Sequence, residues 1–113
     1  MAHYLVQVAY TPEAWASQLK NPQNRVEVVS KLLQQLGGRF EATYFAFGEY
    51  DIVFIAEMPD NVSAAALSMV VSAGGAVKAL KTTPLMAIEE GLEAMRKARE
   101  AVPAYQPPGA GSS

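Results

Sequence analysis

The chain has 113 residues, half of them hydrophobic and 18% charged, with nine Lys and Arg against eleven Asp and Glu for a net charge of −2. This supports one domain with a real core, excludes compositional disorder, and leaves no basic surplus for a nucleic-acid partner. With no cysteine and one histidine, disulfides, thiolate chemistry and Cys-built or multi-histidine metal sites within one chain are excluded, and a Ser-His-Asp triad has only His3 to draw on.

The opening Met1-Ala2-His3-Tyr4-Leu5-Val6 lacks a basic segment and a long apolar run, so no signal or transit peptide is expected. The apolar stretch at 62–77 is interrupted by Ser63, Ser68, Ser72, Gly74 and Gly75, so no membrane partner is expected either, and the reading is a soluble cytoplasmic protein.

Residues 4–10 are rich in β-branched and aromatic types and read as a strand. Thr11-Pro12-Glu13 starts a short helix through residue 19, with a hydroxyl cap and proline at the first helical position. Asn21-Pro22 breaks it, and Asn24 with Glu27 makes a capping-box-like entry to the next helix. There Val26, Val29, Leu32, Leu33 and Leu36 recur at helical spacing until Gly37-Gly38. Strands at 39–47 and 50–58 flank Gly48-Glu49, which predicts a tight antiparallel hairpin. Asp60 or Asn61 caps a helix at 62–73, with Val62, Ala66, Met69, Val70 and Ala73 as its apolar stripe. A fourth strand follows at 76–82, with Pro84 as its stop. A last helix at 85–101 carries Ile88, Leu92, Met95 and Val102 at core spacing, before Pro103 and a mobile tail at 103–113.

This order predicts an α+β, ferredoxin-like βαββαβ domain over 1–102, with an antiparallel four-stranded sheet and an extra terminal helix. Helices would cover one sheet face only. Yet Ile52, Phe54 and Ala56 alternate with Val53 and Ile55, and Leu5, Gln7 and Ala9 alternate with Val6 and Val8. In the second strand Phe45 and Phe47 alternate with Ala42, Tyr44 and Ala46. Burying a Phe or Ile is worth about 1.5–3 kcal/mol, so two apolar faces predict self-association through the sheet, as a homodimer or higher oligomer. The alternative is that the terminal helix folds under the sheet.

At the hairpin, Phe47-Gly48-Glu49-Tyr50-Asp51-Ile52-Val53 resembles the signature of the GYD domain family, here with Glu49 between the Gly and the Tyr. Leu36-Gly37-Gly38-Arg39, Glu57-Met58-Pro59-Asp60-Asn61 and Ser72-Ala73-Gly74-Gly75-Ala76-Val77-Lys78 extend the resemblance over most of the chain. It implies a dimeric α+β barrel, in a family largely without an assigned activity.

Within the motif, Gly48 is expected to supply a positive φ or a close backbone approach, Asp51 to accept from turn amides, and Tyr50 to pack its ring. The functional alternative has Tyr50 and Asp51 lining one end of a barrel cavity, the phenol orienting a ligand oxygen and the carboxylate accepting a proton. Trp15 packs over a core edge or walls that pocket. Tyr44 and Gln7 point to the same chamber. Lys78 and Lys81 face opposite ways, and Lys81 is the candidate for an anionic or carbonyl ligand. His3 is a solvated group, or one that pairs with a carboxylate on the rim or between subunits. Glu41, Glu49 and Glu57 read as surface charges. Gly74-Gly75 follows a helix rather than opening one, which removes the basis for a phosphate loop. The expected ligand residues are thus His3, Trp15, Tyr44, Tyr50, Asp51 and Lys81, with no cofactor and no metal. The leading reading is a homo-oligomeric small-ligand-binding or interaction module. The alternatives are a cofactor-independent, monooxygenase- or isomerase-like enzyme acting on a phenolic or carbonyl compound, and a purely structural oligomer.

Overall fold

Alternating side chains build an antiparallel sheet from β1 (Ala2–Tyr10), β2 (Arg39–Phe45), β3 (Ile52–Met58) and β4 (Val77–Leu85), in the spatial order β2-β3-β1-β4. The computed structural model describes residues 1–109. Helices α1 (Pro12–Lys20) and α2 (Val26–Gln35) join β1 to β2, and α3 (Asn61–Ala73) joins β3 to β4. Helix α4 (Ile88–Ala101) follows, ending in a 3-10 turn at Val102–Ala104. This is the expected ferredoxin-like, α+β order. In the expected tail, Pro103 and Ala104 belong to that turn, and residues 110–113 lie outside the described residues.

Local chemistry sets the helix ends. Thr11 Oγ1 accepts from Ala14 N at 3.0 Å, and Asp60 Oδ1 accepts from Ser63 N at 2.8 Å. The entry to α2 departs from a capping box: Asn24 Oδ1 accepts from Val26 N at 3.0 Å, and Arg25 already has helical backbone with no side-chain cap. The end of α2 is a Schellman turn, in which Gly38 N donates to Leu33 O at 2.7 Å and Gly37 N to Gln34 O at 3.0 Å. Gly37 there has φ +83°. A Cβ on Gly38 would lie 2.5 Å from Glu57 O, so glycine lets the chain pass directly over β3.

The pairs Val6–Phe54, Tyr4–Ala56 and Ala2–Met58 put the core on the inner sheet face, beneath Leu33 of α2 and Ala64 and Leu67 of α3. Phe40 and Phe54 add an edge-to-face contact at 5.0 Å. The Tyr4 hydroxyl donates to Asn61 Oδ1, which fastens the start of α3.

Several expectations are corrected. Helix α3 buries Ala64 and Leu67, while Val62 and Met69 of the expected stripe face outward and Val70 is only half covered. Apolar residues are spread around this helix between Ser63, Ser68 and Ser72, so period alone does not choose its face. Strand β4 runs through Pro84, opposite Tyr4, because β4 is an edge strand and tolerates a missing donor. The hairpin is joined by a six-residue loop at 46–51, with Ala46 N donating to Asp51 O at 2.8 Å. No tight turn is needed there, so Gly48 has neither a positive φ nor a crowded Cβ position. Helix α4 neither joins the core nor folds under the sheet. Ile88 is 77% and Met95 68% exposed, and the radius of gyration is 18.8 Å, against about 13 Å for a compact chain of this length.

Leu33→Ala is expected to cost about 2–5 kcal/mol in urea unfolding, as a fully buried side chain lost from a packed site. Gly38→Ala is expected to lower the midpoint as well, since its Cβ would meet the backbone oxygen of Glu57 at 2.5 Å in addition to the Met58 side chain.

Candidate functional site

On the inner face, a gap remains between the helices and the sheet. Val6 and Val8 are short, α1 buries no residue, and α3 meets the sheet through Ala64 and Leu67. The result is an apolar cleft of about 470 Å³, floored by Val6, Val8 and Ile52 and walled by Leu32, Val71 and Leu80. That volume is in the range of small-molecule sites. Its polar residues include Ser17, Gln18, Asn21, Gln23 and Thr43, and Arg25 is its one charged residue. Tyr10 also lines it. Burial is the main reason the Tyr10 phenol sits above its ordinary pKa; nearby Arg25 opposes the shift and Asp51 adds to it. The phenol is therefore a neutral O–H donor at neutral pH.

The cleft edge is held by Asp51. Its Oδ2 accepts from Tyr10 N at 2.8 Å and from Trp15 Nε1 at 3.3 Å, and its own N donates to Val8 O at 2.8 Å. Tyr10 and Trp15 meet edge to face at 5.5 Å. Asp51 thus binds the end of β1 and the first turn of α1, not turn amides as expected.

The other expected residues are spread over the sheet. The partners of Val53 are Tyr44 on β2 and Gln7 on β1, and Gln7 in turn faces Lys81. Tyr44 and Lys81 therefore share one row of the outer face, at opposite edges about 14 Å apart. Tyr50 is half-buried in the 46–51 loop. Among the described residues no hydrogen bond joins Tyr44, Tyr50 or Lys81 to Asp51. His3 lies at the far end of β1, about 23 Å from Tyr10 along the strand. There its Nδ1 is 2.9 Å from Glu41 Oε2 and its Nε2 is 3.8 Å from Glu57 Oε1. Arg39 Nε donates to the other Glu57 oxygen, and that bond holds the Glu57 carboxyl below the usual carboxylate range. Among the described residues no group of three or more His, Asp or Glu is arranged to hold a metal.

Structure thus brings Trp15 and Asp51 together and leaves Tyr44, Lys81 and His3 apart from them. Sequence reasoning missed Tyr10 and Arg25. Tyr10 has the parity of Val6 and Val8, which places it on the inner face, and Arg25 is the lone cation between the Pro22 break and the apolar helix.

The sequence pattern of the GYD domain family matches residues 4–95, from β1 into α4 and including Gly48-Glu49-Tyr50-Asp51. The chain belongs to the GYD domain family. Two solved structures are similar to this GYD domain protein. FFRP-DM1 shares 16% identity over 76% of this chain and 100% of its own, with a TM-score of 0.51. TTHA0845 from Thermus thermophilus shares 15% over 77% of this chain and 95% of its own, also with a TM-score of 0.51. At such identities the likeness concerns the fold alone. No curated protein matches the chain.

Asp51→Ala is expected to cost about 1–3 kcal/mol, by leaving the Tyr10 N–H without its acceptor. Asp51→Asn keeps one oxygen at the same place and is expected to retain most of the stability, with emission from Trp15, the chain's one tryptophan, following the difference. For Glu57 the folded pKa is depressed, so its contribution is present above the unfolded carboxylate pKa and is lost as pH falls through the folded value. Arg39→Gln is expected to move the NMR titration midpoint of Glu57 upward, towards the ordinary range.

Proposed function

We propose that this GYD domain protein is a small-ligand-binding module that works as a homo-oligomer. The observation that carries the ligand reading is the apolar cleft. An empty, sealed void of about 470 Å³ would cost about 11 kcal/mol at 24 cal/mol per Å³, comparable with the whole stability of a domain this size. An open cleft admits water instead. Water against so apolar a lining is readily displaced by an apolar ligand, which is the gain on which binding draws. Acid–base catalysis draws no support from the same geometry, because the Asp51 oxygen nearest Tyr10 is committed to two donors.

Self-association is supported by α4 and by the outer sheet face. Fourteen residues make an isolated helix only marginal in water, so α4 needs a surface that its own chain does not supply. Its Ile88, Leu92 and Met95 lie on one side, and the outer face offers Leu5, Val53 and Ile55. A second copy of the chain supplies the matching surface for both.

Light scattering at micromolar concentration is expected to give the mass of a dimer or larger, reduced by Leu92→Glu; a monomer mass for the unaltered chain overturns the oligomer. A panel of small apolar compounds is expected to raise Tm and to perturb the amide signals of Val8, Leu32 and Leu80. No response across the panel overturns the ligand reading.

A further inference from the structure

The cleft has one charge. Of the residues that line it, Arg25 alone is ionised, with no Asp, Glu or Lys among them. Arg39 is paired with Glu57 and Arg96 with Glu93, whereas Arg25, exposed at the cleft mouth, has no ion pair or side-chain hydrogen bond among the described residues, as is also true of Arg99 on α4. The neighbouring acid, Asp51, turns its Oδ2 to Tyr10 N and Trp15 Nε1. A guanidinium is a planar fork of donors that matches the two oxygens of a carboxylate. The half-buried phenol of Tyr10 accepts and donates no hydrogen bond within the described chain, and lies close enough for Arg25 to act on its ionisation.

Resting on the reading of the cleft as a ligand site, we infer that it selects a molecule with an apolar body and a single carboxylate, the carboxylate engaging Arg25 at the mouth and the body lying over Val6, Val8 and Leu80. One cation balances one negative charge. A phosphate monoester would bring a second negative charge that no second lining cation meets and that the Asp51 carboxylate at the cleft edge opposes, and an amine would meet Arg25 as a like charge. Gln18 and Gln23 add neutral amides to the lining without changing that balance.

The full chain is titrated calorimetrically at neutral pH with octanoate, 1-octanol and octylammonium, three probes with the same body and different heads. Octanoate is expected to bind roughly ten-fold or more tighter than 1-octanol, the difference made by one charge-assisted contact, and octylammonium weakest of the three. Amide shifts at Gln23, Val29 and Leu80 place the octanoate in the cleft. Arg25→Gln is expected to remove the octanoate advantage and leave 1-octanol unchanged. Arg96→Gln, which takes a cation from the projecting helix, changes neither. Equal affinity for octanoate and 1-octanol, or full octanoate affinity in Arg25→Gln, overturns the carboxylate selection while leaving the cleft as a ligand site. Binding of none of the three overturns both. Because the three probes are compared on the unaltered protein, the test does not depend on any variant folding.

Discussion

One carboxylate oxygen ties together the cleft end of this fold. Asp51 Oδ2 takes the N–H of the last β1 residue and the indole N–H of Trp15, while the Asp51 backbone bonds to Val8 and to Ala46. Helix α1 buries no residue, so apolar burial alone does not locate it. Its place is set by the Trp15 contacts and by the bond from Thr11 N to Ala76 O. Bonds to a charged acceptor are worth about 1.5–3 kcal/mol, enough to fix a nine-residue helix that packing leaves loose. Since Ala14 and Gln18 of α1 line the cleft, the motif Asp shapes one wall of the cleft without lining it.

The second constraint is arithmetic of area. Three helices lie on the inner face and none on the outer, although Leu5, Val53 and Ile55 give the outer face a continuous apolar centre. At one end of that face His3, Glu41, Glu57 and Arg39 form a charged cluster, which limits the apolar area and marks its orientation. On β4, Lys81 and Thr83 make the edge more polar still. Such a face suits a surface that meets another in one register better than a uniformly greasy one does.

Much of the fold was legible because its signals are local. The Thr11-Pro12 cap, the Asp60 cap, the Gly37-Gly38 stop and the alternation along β1 and β3 each depend on a few neighbouring residues, and each stands as read. Failures came where local pattern is silent. In α3 the apolar residues fall on every side of the helix and its serines do not gather on one, so the buried face follows from how the chain leaves β3. Pro84 signals a stop only if its strand is central, and edge position is a property of the whole sheet. For α4 the amphipathic spacing is real, but spacing says nothing about whose surface the stripe meets. The site was less legible than the fold. Asp51 and Trp15, expected to line a pocket, meet each other beside the cleft without lining it, and their meeting is set by a loop whose length hid the geometry. Tyr10 and Arg25 carry no motif; only the inner-face parity of one and the isolation of the other mark them.

The cleft and the outer face use the same two strands in opposite parity. On β1 the even positions Val6 and Val8 floor the cleft, and the odd positions Leu5 and Gln7 face outward. β3 repeats this with Ile52 and Phe54 against Val53 and Ile55. A one-residue slip would exchange the two surfaces completely, so a single register specifies both. Association across the outer face therefore leaves the cleft open on the far side of the sheet, about one sheet-to-helix layer away. The proposed ligand site and the proposed association surface therefore do not overlap, and substitutions at alternate positions of one strand separate tests of the two: Leu5 and Gln7 belong to the outer face, Val6 and Val8 to the cleft.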